Sequence, residues 1–106
     1  MRIHEKNQYT LVKIEKKSFV DFIKQFSKFK TNHLFLHLSK DIIIDDDKIS
    51  TLSNIAIEFK SKALSFVVIK NDIDIDIFPE NINISPTLQE AEDILEMDTI
   101  ERDLRF

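Results

Sequence analysis

Apolar positions recur with two different periods along this chain, and the switches between them mark the elements. Residues 9 to 15, Tyr-Thr-Leu-Val-Lys-Ile-Glu, are rich in β formers, and the polar Lys6-Asn7-Gln8 before them can turn the chain back on residues 1 to 5. An opening hairpin is expected. Phe19, Phe22, Ile23 and Phe26 then line one face at helical spacing. Ser18 stands ahead of them with Asp21 three residues on, which predicts a first helix over roughly 18 to 29. Leu34-Phe35-Leu36-His37-Leu38 is apolar at nearly every residue, the pattern of a strand covered on both faces, mid-sheet. Helical spacing returns with Ile49, Leu52, Ile55, Ala56, Phe59 and Ala63, while Lys48, Asn54, Glu58 and Lys62 take the wet side. Phe66-Val67-Val68-Ile69 is a second buried strand, and Ile82 and Ile84 mark the last one.

Two segments need more than periodicity. Asp72 to Pro79 alternates Asp with Ile, which alone suggests a strand with one acidic face. Connectivity favours a loop or a single helical turn, because a parallel crossover from 66–70 to 82–85 needs about a dozen residues and this segment supplies them. At the end of the chain, Thr87 and Glu90 form a capping box that starts a helix. Leu88, Ala91 and Leu95 share one side of it, but Met97, Ile100 and Leu104 fall on nearly the opposite side if it runs straight. Asp98 followed by Glu101 reads as a second capping box, so a break near residue 97 and a separate helix from about 99 to 105 are expected.

The elements thus run strand, strand, helix, strand, helix, strand, short connection, strand, helix. That order predicts an α/β fold: a mixed sheet of about five strands, opened by an antiparallel hairpin and continued by parallel βαβ strands, with three to four helices. A chain of 106 residues accommodates one domain and one core, here 1–106 with 98–106 as a terminal helical tail. Composition narrows the function. Without cysteine there are no disulfides, thiolate nucleophiles or cysteine-ligated zinc. Without glycine the usual phosphate-cradling loops are excluded. A net charge of -4 with basic residues scattered along the chain disfavours nucleic acid. The start has no apolar stretch of signal-peptide type and no long apolar run follows, so a cytoplasmic address with no membrane association is expected.

Against this background three stretches resemble a known family. His37-Leu38-Ser39 stands where STAS domains, the family of bacterial anti-sigma factor antagonists, end a central strand in Asp-Leu-Ser. Asp45-Asp46-Asp47-Lys48 stands where they carry Asp-Ser-Ser-Gly at the start of the second helix. Ile84-Ser85-Pro86-Thr87-Leu88-Gln89-Glu90-Ala91 is similar to the family's last strand and helix. The resemblance implies a non-enzymatic regulatory domain that docks a protein, with Asp47 at the phosphoacceptor position and Lys48 replacing the Gly. An aspartate there cannot enter a serine phosphorylation cycle and instead imitates a permanently modified state with less charge. Docking is then constitutive, with Asp45, Asp46, Asp47, Lys48, Ser50 and Thr51 as contact residues. The implied partner is a kinase-like anti-sigma factor or an enzyme encoded nearby. Ser50, Thr51 and Ser53 are the hydroxyls open to phosphorylation if the register is shifted.

Asp41, Asp45, Asp46 and Asp47 carry oxygens suited to Mg²⁺ or Ca²⁺, but acids before a helix are explained by capping and by its positive end, so no metal is expected. His33 and His37 lie four apart on a strand, about 13 Å end to end, too far to share zinc. The His-x-His-x-Asp-His cluster of zinc-dependent metallo-β-lactamase hydrolases is absent, and no serine sits in a nucleophile elbow. No catalytic residue and no cofactor is expected. The Phe series of the first helix offers the alternative reading, a carrier of a small molecule or lipid, although such spacing usually marks core. Met97, Ile100 and Leu104, with Phe106, either fold back on the domain or form an exposed patch for a protein partner or a homodimer.

Overall fold

The structure is a computed structural model and describes residues 1–104. Its strands are β1 (Arg2–Glu5), β2 (Tyr9–Ile14), β3 (His33–Leu38), β4 (Phe66–Ile69) and β5 (Asn83–Ser85). They form one sheet in the order in which they occur in the chain. β1 pairs antiparallel with β2, and β2, β3, β4 and β5 are mutually parallel. Each parallel step requires a crossover. Helix α1 (Phe19–Gln25), flanked by 3₁₀ turns, joins β2 to β3, and α2 (Asp46–Ser61) joins β3 to β4. A single 3₁₀ turn, Ile75–Ile77, lies between β4 and β5 where the Asp-Ile alternation raised the question of a further strand. The α/β architecture expected from the order of elements is the one found.

Alternation along the strands sends residues to two separate cores. Val12 and Ile14 of β2, Leu34, Leu36 and Leu38 of β3, and Phe66 and Val68 of β4 meet Phe19, Phe22, Leu52, Ile55 and Phe59 from α1 and α2. On the other side, Tyr9, Leu11, Phe35, Val67 and Ile69 lie beneath Ala91 and Leu95 of the last helix, α3 (Leu88–Asp103). β3 is therefore buried on both faces, which is why its sequence is almost unbroken in apolar residues. Each fully buried large apolar side chain contributes roughly 1.5–3 kcal/mol of transfer free energy. The Phe residues of α1 and of the 3₁₀ turn after it are part of this core: Phe22 is fully buried, and Phe26 and Phe29 pack against the cluster.

Two helix boundaries differ from expectation. Ser18 does not cap α1. Its hydroxyl accepts from the Glu15 N–H at 2.9 Å and donates to the Glu15 carbonyl at 3.1 Å, because the chain turns into a 3₁₀ segment at Lys16 directly after leaving β2. The break near residue 97 is also absent, and α3 runs unbroken from Leu88 to Asp103. The inward positions after Leu95 are not the apolar ones. They are Asp98 and Arg102, which fall on the same helical face as Ala91 and Leu95. Asp98 does not start a new helix, because its carboxylate accepts from Ser65 across the domain. Thr87, by contrast, caps α3 as expected, accepting from the Glu90 N–H at 3.2 Å.

Lack of glycine leaves one mark on the backbone. α2 ends in a Schellman arrangement, with the Leu64 N–H on the Phe59 carbonyl at 2.9 Å and the Ala63 N–H on the Lys60 carbonyl at 3.0 Å. That geometry needs a left-handed residue, and Ala63 supplies it at φ 58. A Cβ in this region costs about 1–2 kcal/mol, which the surrounding packing offsets.

Candidate functional site

In open parallel sheets, ligands gather at the carboxyl ends of the strands. Here that edge holds Ser39 and Asp41 after β3, the start of α2, and Lys70 and Asp72 after β4. Asp45 is the N-cap of α2: its Oδ1 accepts from the Lys48 N–H at 2.9 Å and its Oδ2 pairs with the Lys48 ammonium at 3.2 Å. These bonds from Lys48, backbone first, hold the Asp45 carboxyl below its ordinary value. Lys48 also lies over the Phe19 ring, 5.7 Å from its centroid, so it is tied to the domain from two sides. Asp46 and Asp47 stand in the first turn, exposed and, among the described residues, without an ion-pair partner. Thr51 is occupied, its hydroxyl donating to the Asp47 carbonyl at 2.9 Å, and Ser53 accepts from Asn81 at 2.8 Å. Ser50 is exposed.

Beside this turn, Ser39 donates to Asp41, whose carboxylate also accepts from the Lys16 N–H at 3.3 Å. The Ser39 bond first, and the Lys16 N–H after it, keep Asp41 below the usual carboxylate range. A carboxylate so stabilised is a weak base for its serine neighbour. Lys70 was not singled out by the sequence reading. It is only 5% exposed, and its ammonium is held by Asp72, whose carboxyl is depressed chiefly by that bond. Among the described residues no three acidic or imidazole groups converge on a point where a metal ion could sit.

The second set of expected residues lies elsewhere. Met97, Ile100 and Leu104 are 64%, 53% and 69% exposed on the outer side of α3. Phe106, grouped with them in the sequence reading, lies outside the described residues. α2 covers one face of the sheet and starts at the carboxyl ends of the strands, whereas α3 covers the other and finishes near their amino ends, where Asp98 meets Ser65. The two expected contact surfaces are thus on opposite faces and at opposite ends.

None of the protein-family models matches the chain, and no curated protein matches it either.

A third group was missed altogether. Ser65, 2% exposed, donates from its hydroxyl to Asp98 at 2.9 Å and accepts from Arg102 at 2.6 Å. Asn83 reaches the same carboxylate at 3.5 Å, and the Ser65 N–H donates to Nδ1 of His33 at 2.9 Å. Burial, then the charge of Arg102, push the His33 imidazole below its ordinary value, with Asp98 opposing. Every buried polar side-chain atom among the described residues has a hydrogen-bond partner, and the bonds of Asp98 and Arg102 to Ser65 tie α3 to the sheet. The only local trace of it was the pairing of Asp98 with Arg102 at helical spacing.

Proposed function

We infer that the chain is a non-enzymatic protein-interaction domain, related in design to the STAS anti-sigma factor antagonists and independent of serine phosphorylation. One observation carries this reading: α3 satisfies its inward face completely yet presents Met97, Ile100 and Leu104 together on the outside. An apolar row on a helix that is already anchored contributes nothing to its own domain and suits a partner. The free carboxylates of Asp46 and Asp47 at the start of α2 support a second contact, one that takes a basic surface. The mixed sheet and the position of α2 directly after the central strand agree with the resemblance of 37–39 and 45–48 to that family. A lipid carrier built on the α1 Phe series is less well supported, since those rings pack in or against the core.

The test is affinity purification with wild-type chain, Ile100→Ser and the pair Asp46→Ser with Asp47→Ser, side by side, with mass spectrometry of proteins and small molecules. A stoichiometric protein recovered by wild type and lost with Ile100→Ser is the expected result. Equal recovery by all three, or a stoichiometric small ligand alone, overturns the reading.

A further inference from the structure

The sheet register gathers three basic side chains that lie far apart in sequence. Arg2 of β1 is paired directly with Lys13 of β2, and Lys13 directly with His37 of β3. All three lie on the face that α3 partly covers, where Lys13 continues the series Tyr9, Leu11 and His37 follows Phe35. Like charges directly opposite one another across strands are destabilising, and natural sheets interleave them with carboxylates. That has not happened here: among the described residues neither Arg2 nor Lys13 nor His37 has an ion-pair partner.

These side chains, with Ile14, Glu15 and Ser39, surround an open recess of about 210 Å³. It is large enough for one small anion with its water and smaller than the pockets that hold drug-sized ligands. Of the carboxylates at its rim, Glu15 pairs with Lys17 at 3.9 Å and Asp41 accepts from Ser39 and the Lys16 N–H, so each is engaged by a partner outside the basic row. His37 is half-buried, and its imidazole is kept below its ordinary value by burial and then by the charge of Lys13, so it meets the recess as a neutral hydrogen-bonding group beside two fixed cations. A pair of cations with a neutral imidazole suits a dianion better than a single carboxylate.

We propose that the row Arg2, Lys13 and His37 is a binding site for a phosphate-type oxyanion, either inorganic phosphate or a small phosphate monoester. It shares no residue with either protein-contact surface. Without glycine the usual Gly-rich phosphate loops are absent, and side chains spaced by strand pairing provide the charge instead.

Thermal unfolding in inorganic phosphate and in methyl phosphate, against chloride at matched ionic strength, tests this. The wild type is expected to show a saturable rise in Tm with at least one of the two. Lys13→Gln is expected to fold at least as stably without anion, because it removes a repulsion, and to lose the response at least tenfold in apparent affinity. Lys24→Gln, at an exposed position of α1, keeps it. A response that persists in Lys13→Gln, or none in the wild type with either probe, overturns the site. Binding of a poly-glutamate peptide without any phosphate response overturns it in favour of an acidic segment.

Discussion

On the face that carries α1 and α2, the inward positions of β3 and β4, and those of β2 after Thr10, are apolar to their ends and sealed by Phe22, Leu52, Ile55 and Phe59. Beneath α3 the same strands change character along their length. Leu11 is followed by Lys13 and Phe35 by His37 at one end, while His33, Ser65, Asn83, Asp98 and Arg102 form a bonded network at the other. The first face is finished by volume and the second by hydrogen bonds and charge. Volume tolerates any apolar arrangement that fills it, whereas a polar network fixes one placement of the helix. What the second face loses in burial it gains in orientation, which is how α3 comes to hold Met97, Ile100 and Leu104 outward.

The comparison breaks if the two faces respond alike to truncation. Phe59→Ala removes a fully buried ring that packs against Phe66 at 5.5 Å between centroids, and it is expected to cost about 3–5 kcal/mol by urea unfolding. A loss below about 1 kcal/mol would mean that this face is not the main core. Asp98→Ala takes the acceptor from Ser65 and the carboxylate from Arg102, and about 1–2 kcal/mol is expected, discounted because Asp98 is part-exposed. The sharper readout is local: amide exchange in α3 after residue 95 should rise in Asp98→Ala and stay unchanged in Phe59→Ala wherever the latter remains folded. Equal exchange throughout α3 in both would show that the network does not anchor the helix.

The sealed face has a local weakness in Ala63. Ala63→Gly relieves the left-handed Cβ and returns part of the gain as chain entropy in the unfolded state, for a net stabilisation of about 0.5–1 kcal/mol. Chemical denaturation checks this, and a decrease in midpoint would contradict the assigned C-cap geometry.

The unequal legibility of the two faces in sequence has the same origin. Volume-filled elements announce themselves by period, so the two helices on the first face and the buried strands could be placed from Phe22, Leu52, Phe59 and the 34–38 and 66–69 runs. α3 misled because its inward face changes from Leu95 to Asp98. A rule that sends apolar residues inward turned that change into a break. The partner that makes Asp98 an inward residue, Ser65, is 33 positions away and leaves no local pattern. The same holds for Arg2, Lys13 and His37: scattered along the chain, they become a row only through strand register. The acidic start of α2 was legible because capping is local, and Asp45 fills that role.

Tyr9 bridges the apolar and polar parts of the second face, and it gives a small effect at neutral pH with the cleanest signal. Its ring stacks on Phe35 at 4.1 Å and its hydroxyl donates to Glu92 of α3 at 3.0 Å. Burial first, then that hydrogen bond and the charge of Glu92, push the phenol up from 10.0 to about 12. Tyr9 is the sole tyrosine in a chain without tryptophan, so absorbance at the phenolate band reports it alone. The folded protein should titrate near 12, and the protein in denaturant near 10.0. Because the folded-state value is the higher one, the unfolded chain releases its proton first as pH rises. The contribution of Tyr9 to stability is therefore fully present below 10.0 and is lost between there and about 12. Tyr9→Phe keeps the stacking, removes the bond to Glu92, costs about 0.5–1.5 kcal/mol at neutral pH and flattens that alkaline decline. A folded-state midpoint at the ordinary phenol value would mean that α3 does not close over Tyr9, and the polar half of the comparison would then have no fixed helix to orient.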